Sequence, residues 1–148
     1  MIIKTVNGKT PIIPADCYIA ENATIVGDVI FGSSCSIWFN AVVRGDVNSI
    51  SIGNKVNIQD GAIIHCTYEK HATKIGNNVS IGHRAIVHGC IVEDNVLIGM
   101  GAIVMDNCVI GNNSIIAAGA VVTQNTIVPS GTIYAGVPAK WVKDIDAS

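Results

Sequence analysis

IVEDNVLIGMGAIVMDNCVIGNNSIIAAGAVV, residues 91–122, carries an Ile or Val at every sixth place: Val92, Ile98, Val104, Ile110, Ile116 and Val122. A helix face repeats every ~3.6 residues and a strand face every ~2, so a period of six fits neither as one long element. Each hexad reads instead as one short strand plus a corner. Three hexads make one coil with three faces, and the coils stack as parallel strands ~4.8 Å apart.

The pattern extends both ways from this stretch. Towards the C-terminus it passes Val128 and lands on Tyr134. Towards the N-terminus a step of five joins Val92 to Val87, and sixes give Ile81 and Ile75. Ile64, Ile58 and Ile52 form another run, and Val43, Ile37, Phe31, Ile25 and Ile19 a third. Four places after most of these aliphatics stands a small or β-branched residue, such as Ala41, Ala62, Ala85, Ala102, Cys108 or Ser114. Both positions are expected to point inward. An ordinary β-sandwich would show turns every ~8–12 residues instead.

Two places break the count: the step from Val43 to Ile52 is nine, and the step from Ile64 to Ile75 is eleven. The extra residues are expected to bulge as loops. The second loop, CTYEKHATK (66–74), directly follows His65. The expected fold is a single all-β domain, with an N-terminal cap over 1–14, hexapeptide coils over 15–134 and a C-terminal tail over 135–148 holding at most a short helix. Hexapeptide repeats of this kind resemble the left-handed parallel β-helix proteins. The left hand comes from that resemblance, since parallel crossovers are right-handed as a rule.

Composition narrows the function classes. Aromatic residues make up 5% and charged residues 14%, with 15 Gly and a net charge of −2. No Lys/Arg run exists, which argues against nucleic acid and anionic membrane surfaces as partners. No apolar run reaches the ~18 residues of a membrane span, and the start lacks the pattern of a secretory signal. Five cysteines (17, 35, 66, 90 and 108) form no CxxC pair. An odd count without a secretory signal points to reduced thiols and a cytoplasmic location.

The histidines carry the chemistry. Assigned by hexad, Ile19, Ile37, Ile58, Ile81 and Ile98 begin face one. Ile25, Val43, Ile64, Val87 and Val104 begin face two, and Phe31, Ile52, Ile75, Val92 and Ile110 begin face three. His65 follows Ile64 and His88 follows Val87, so both take the same outward place on face two, one coil apart. At ladder spacing two imidazoles can reach one ion, with Zn–N near ~2.0–2.1 Å. His83 sits two places after Ile81, on face one, and should point away from that pair. It can complete a neighbour's site if face one of one subunit meets face two of another. Three subunits around an axis satisfy every such pair, which predicts a homotrimer with three metals at its interfaces. His71, in the loop, reads as solvated, with a proton relay as its alternative role. Arg44 follows Val43, one coil below His65, and Asp46 lies two residues on. Gln59 follows Ile58 on face one, beside Asn57 and Asp60. These polar groups are expected to cluster around the histidine pair.

With RGDVNSISIGNKVNIQDGAIIH (44–65), IGHRAIVHGC (81–90), LIGMGAIV (97–104) and YAGVPAK (134–140), the chain resembles the gamma-class carbonic anhydrase-like family of hexapeptide-repeat proteins. The resemblance runs from about Ala15 to Lys140. It implies zinc, with iron or cobalt as other metals that imidazole suits. It implies His65, His83 and His88 as the ligands, with His83 supplied by the adjacent subunit. Arg44 and Asp46 match the family's interface ion pair, and Gln59 and Asn57 match residues near the metal-bound water. Three neutral imidazoles leave an open coordination position, the mark of a catalytic zinc site. The implied activity is hydration of carbon dioxide to bicarbonate by zinc-bound hydroxide, formed at neutral pH as known for carbonic anhydrases. The family's acidic proton shuttles are replaced by Val47 and Tyr68, and the long acidic loop is missing. Glu69, His71 and Tyr68 are the substitutes on offer, and turnover is expected to be slowed. Two other functions share the fold: a hexapeptide acyltransferase using acyl-CoA with a histidine base, and a non-catalytic metal-binding trimeric scaffold.

Overall fold

The computed structural model describes residues 1–146. The described residues form no helix, and every regular element is a β-strand. Seven parallel strands stack on one face: Tyr18–Ile19, Ser36–Ile37, Asn57–Ile58, Ser80–Ile81, Leu97–Ile98, Ile115–Ile116 and Thr132–Ala135. They are the face assigned to Ile19, Ile37, Ile58, Ile81 and Ile98. The other two faces belong to one sheet, because the long strands Thr24–Phe31 and Val42–Ile52 continue around a corner.

Burial follows the hexad. Ile25, Val43, Ile64, Val87, Val104 and Val122 are fully buried, each stacked on the next coil's equivalent. Ala23, Ala41, Ala62, Ala85, Ala102 and Ala120 form a second buried column. Their small side chains fit the narrow corner, and the larger aliphatics fill the middle of each face. This alternation closes the interior almost entirely with aliphatics and small residues, Phe31 being the one aromatic among the buried core residues described, which fits the low aromatic content. Corners are turned by residues at positive φ, among them Asn78, Asn95 and Asn113. Asparagine tolerates this left-handed conformation better than most residues. Its amides also join coil to coil, as Asn78 Nδ2 donates to Asn95 Oδ1 and Asn95 Nδ2 to Asn113 Oδ1, both at 3.1 Å.

The first irregular spacing, Val43 to Ile52, is absorbed without leaving the sheet. Gly27 pairs Gly45 but Val29 pairs Ile50, so three extra residues bulge within a continuous strand. That bulge carries Asp46. The second becomes a tight hairpin in which Thr67 N donates to His71 O at 2.9 Å. The tail forms no helix among the described residues. Lys140–Asp144 pairs antiparallel with Thr132–Ala135 and closes the C-terminal end of the stack. At the other end Ile2–Lys4 pairs Thr24–Val26 in parallel.

Candidate metal centre

The strand Ile63–His65 lies in register with Ile86–His88, which sets His65 directly against His88. Strand alternation turns Ile64 and Val87 into the core and leaves both histidines on the outside. His65 Nδ1 stands 3.0 Å from His88 Nε2. The remaining ring nitrogens each meet a carboxylate. His65 Nε2 is 3.0 Å from Asp46 Oδ1, and His88 Nδ1 is 2.5 Å from Asp106 Oδ1. An ionised carboxylate only accepts, so these two nitrogens carry the protons. The nitrogens facing each other are then both lone-pair nitrogens. Such a gap takes a cation, either a metal ion or a proton shared by the rings. Two nitrogens on one tetrahedral ion at ~2.0–2.1 Å stand roughly 3.3 Å apart. The pair is close to that geometry, so its residues fit a divalent metal that accepts imidazole.

The supporting charges are bound in place. Burial acts to raise the Asp46 pKa, but hydrogen bonds from His65 and Arg44 outweigh it and hold the carboxyl below its ordinary value. Arg44 pairs with Asp46 Oδ2 at 2.5 Å within the same chain. Burial likewise opposes ionisation of Asp106, and hydrogen bonds from Thr67 and His88 reverse it. Thr67 Oγ1 donates to Asp106 Oδ2.

His83 lies apart, beyond the strand Ser80–Ile81 of the other sheet. Its Nδ1 is 3.0 Å from Asp60 Oδ2, and its side chain is half exposed. Among the described residues, no three His, Cys, Asp or Glu side chains of one chain come together to hold a metal. The expected clustering of all polar groups about the histidine pair therefore does not occur within one chain. Gln59 and Asn57 belong to the His83 side, where they line a pocket of about 260 Å³ with Trp38 and Asp60. Asn57 Nδ2 donates to Ser36 Oγ at 2.7 Å. The reason is the face count itself, since Ile58 and Ile81 begin strands of one sheet and Ile64 and Val87 strands of the other.

Tyr68 and Glu69 sit exposed at the hairpin tip, and His71 is partly buried at its base. His71 adds a weaker electrostatic pull on Asp106. Cys66 is fully buried, and its thiol points to Asn48 O at 3.2 Å rather than to a histidine. The residue that sequence reasoning missed is Asp106. A signal was there: Val104 lies in register with Val87, so the histidine column can be followed one coil further, to the corner that Asp106 begins.

Four matches to known proteins bear on this arrangement. The bacterial transferase hexapeptide model (six repeats) matches residues 89–124. A carbonic anhydrase of Geobacillus kaustophilus is 51% identical over 138 residues, covering 93% of this chain and 75% of that protein. Gamma carbonic anhydrase 1, mitochondrial, of Arabidopsis thaliana is 46% identical over 99 residues, covering 64% of this chain and 36% of the plant protein. A solved hexapeptide transferase family protein from Anaplasma phagocytophilum superposes with a TM-score of 0.94 at 40% identity, covering 99% of this chain and 86% of that one. The chain spans only about a third to a half of the length of several curated relatives, 36% and 52% in two of them. With a carbonic anhydrase 51% identical across 93% of this chain, and gamma-class relatives beside it, the chain belongs to the gamma-class carbonic anhydrase-like family of hexapeptide-repeat proteins.

Proposed function

We propose that this protein hydrates carbon dioxide to bicarbonate at a divalent metal site, in a homotrimer whose three sites lie between subunits. The observation that carries the reading is the His65–His88 pair, with two lone-pair nitrogens 3.0 Å apart and a carboxylate behind each ring. His65 and His88 would hold the ion from one chain, and the partner subunit's His83 would complete the set. Zinc is the metal proposed, with ferrous iron or cobalt compatible with the same ligands. Such an ion, when bound, brings the pKa of water to about 7, as established for carbonic anhydrases.

The chain's own groups do the rest. Asp46 and Asp106 fix the rings, and Arg44 holds Asp46 from the other side. The Gln59 and Asn57 amides flank His83 and would orient a reactant there by hydrogen bonds. Hydration of carbon dioxide releases one proton for each bicarbonate formed. The His71 imidazole and the Glu69 carboxylate, both on the hairpin beside Asp106, are the groups proposed to carry it out, with Tyr68 next to them. Support for the trimer comes from the surface. On face two, Val42, Ile63, Ile86, Ile103 and Val121 stand in register as an outward aliphatic ladder. On face one, Leu97 and Met100 are exposed beside His83 and line an apolar groove of about 380 Å³. Five free thiols, four of them buried, support a cytoplasmic location; no helix among the described residues is long and apolar enough to cross a membrane.

Elemental analysis of protein purified without chelators, followed by stopped-flow hydration assays on wild type and His88→Ala, tests the reading. One metal per chain and a rate abolished by the substitution are expected. A wild-type rate equal to that of His88→Ala sinks the enzyme reading, and with metal present it favours the scaffold. The Anaplasma relative is named a transferase, which keeps group transfer, here from acyl-CoA, as the second reading. Coenzyme A binding that survives chelation, measured by calorimetry, would favour it.

A further inference from the structure

Asp106 stands behind His88 and fixes its ring, and the consequence for which ring nitrogen is free goes further. We propose that Asp106 is the positioning residue that makes His88 a metal ligand, by pinning its proton to Nδ1, and that Thr67 locks Asp106 in the orientation this requires. The inference rests on the metal-site reading above.

The chemistry is that of a neutral imidazole, which has one N–H and one lone pair. Only the lone-pair nitrogen can bind a metal, so the group opposite the other nitrogen decides which one is available. In His88, Nε2 faces His65 and Nδ1 faces Asp106 Oδ1 at 2.5 Å. The carboxylate can only accept, which assigns the proton to Nδ1 and the lone pair to Nε2. The second Asp106 oxygen accepts from Thr67 Oγ1. With both oxygens engaged, the carboxylate plane cannot swing away from the ring. Its side chain is 15% exposed, so little water competes for either oxygen.

This arrangement has a structural consequence. Thr67 opens the hairpin whose residues include Tyr68, Glu69 and His71, and Asp106 lies on the coil above. The Thr67–Asp106–His88 chain therefore ties the hairpin's base to one ligand of the pair. Asp46 does the corresponding work for His65, but Asp46 is also committed to Arg44. Asp106 pairs with no cation other than histidine among the described salt bridges, which leaves His88 and Thr67 to account for its place.

Asp106→Asn tests the assignment because it reverses the polarity while keeping the size. The amide can donate to Nδ1 and stabilise the wrong tautomer, with the proton on Nε2. Long-range proton–nitrogen NMR of the metal-free protein, near pH 8.5 and about two units above the ordinary imidazole pKa, reads the proton's position directly. In wild type a proton is expected on His88 Nδ1, and in Asp106→Asn it is expected to shift to Nε2. Zinc titration should then show affinity lowered about 10–100-fold in Asp106→Asn, with Asp106→Glu recovering part of it. Thr67→Val should lower affinity less while keeping the wild-type tautomer. A wild-type proton on Nε2, or unchanged zinc affinity in Asp106→Asn, overturns the proposal. If wild type binds no metal at all, the metal reading fails, and the NMR result still decides what Asp106 does to His88. The wild-type spectrum gives that answer even if a substituted chain does not fold.

Discussion

Ile63 and Ile64 are chemically identical neighbours, and the fold gives them opposite fates. Ile64 is fully buried between Val43 and Val87, while Ile63 is 41% exposed on the outer face. Replacing either by Ala removes three carbons. At ~0.8 kcal/mol per buried carbon group, Ile64→Ala loses about 2.4 kcal/mol of transfer free energy. A cavity term adds to this. The coils above and below are held at fixed spacing by ladder hydrogen bonds, such as Ile63 N to Ala85 O at 2.9 Å. The walls therefore cannot collapse, and the total should reach about 3–5 kcal/mol. Ile63→Ala loses the same atoms from a half-wet surface and leaves no closed cavity, so about 1 kcal/mol is expected in the isolated chain. Urea unfolding of the metal-free protein, followed by circular dichroism, measures both. With a slope of about 2 kcal/mol/M, Ile64→Ala should lower the midpoint by roughly 2 M and Ile63→Ala by roughly 0.5 M. Equal shifts, or a larger one for Ile63→Ala, would refute the inward–outward assignment on which the whole histidine argument stands.

Other predictions follow from single observations. At Gly45 an added Cβ would lie 2.4 Å from Asp28 O, so Gly45→Ala must part the two long strands. It should lower the urea midpoint and weaken zinc binding through Arg44 and Asp46, whereas Gly101→Ala, with nothing within 4 Å and only its φ of +67 to strain it, should affect stability alone. Burial pushes the Cys90 thiol far above its ordinary pKa, and Cys35, Cys66 and Cys108 are raised for the same reason. Native protein at about pH 9 should therefore be alkylated quickly by iodoacetamide only at Cys17, with all five thiols reacting in denaturant. If the metal bridges subunits, chelation should lower the mass seen by light scattering towards that of one chain; a metal-replete monomer would end the interface reading.

The repeat was legible because it is a local rule applied many times. Each hexad buries an aliphatic and a small residue, and no distant partner is needed to recognise it. Register then came almost free, since counting coils is enough to set His65 beside His88 and to put His83 on another face. What the count did not deliver depends on contacts that cross coils. Asp106 lies in an ordinary-looking corner, and only the position of His88 below it gives it meaning. Gln59 and Asn57 were expected near the histidine pair, but within one chain their strand belongs to the sheet that carries His83. The tail, expected to hold at most a short helix, holds none among the described residues; that Lys140–Asp144 is instead a strand follows from the open edge that Thr132–Ala135 offers it. The bulge at Asp46 stays within a strand because Gly27 and Gly45 let the two backbones approach where a Cβ on either would collide.

The central claim is that His83 serves the site of a neighbouring chain, and subunit complementation tests it directly. His83→Ala and His88→Ala, each prepared alone, should form no complete site. Unfolded together and refolded at equal amounts, they should yield mixed trimers in which one site of the three has all its ligands. Random assembly makes about three-quarters of the trimers mixed, so roughly a quarter of the wild-type metal content and hydration rate should return. If His65, His83 and His88 all served one ion within one chain, neither variant could repair the other, and the mixture would stay as empty and as slow as its parents.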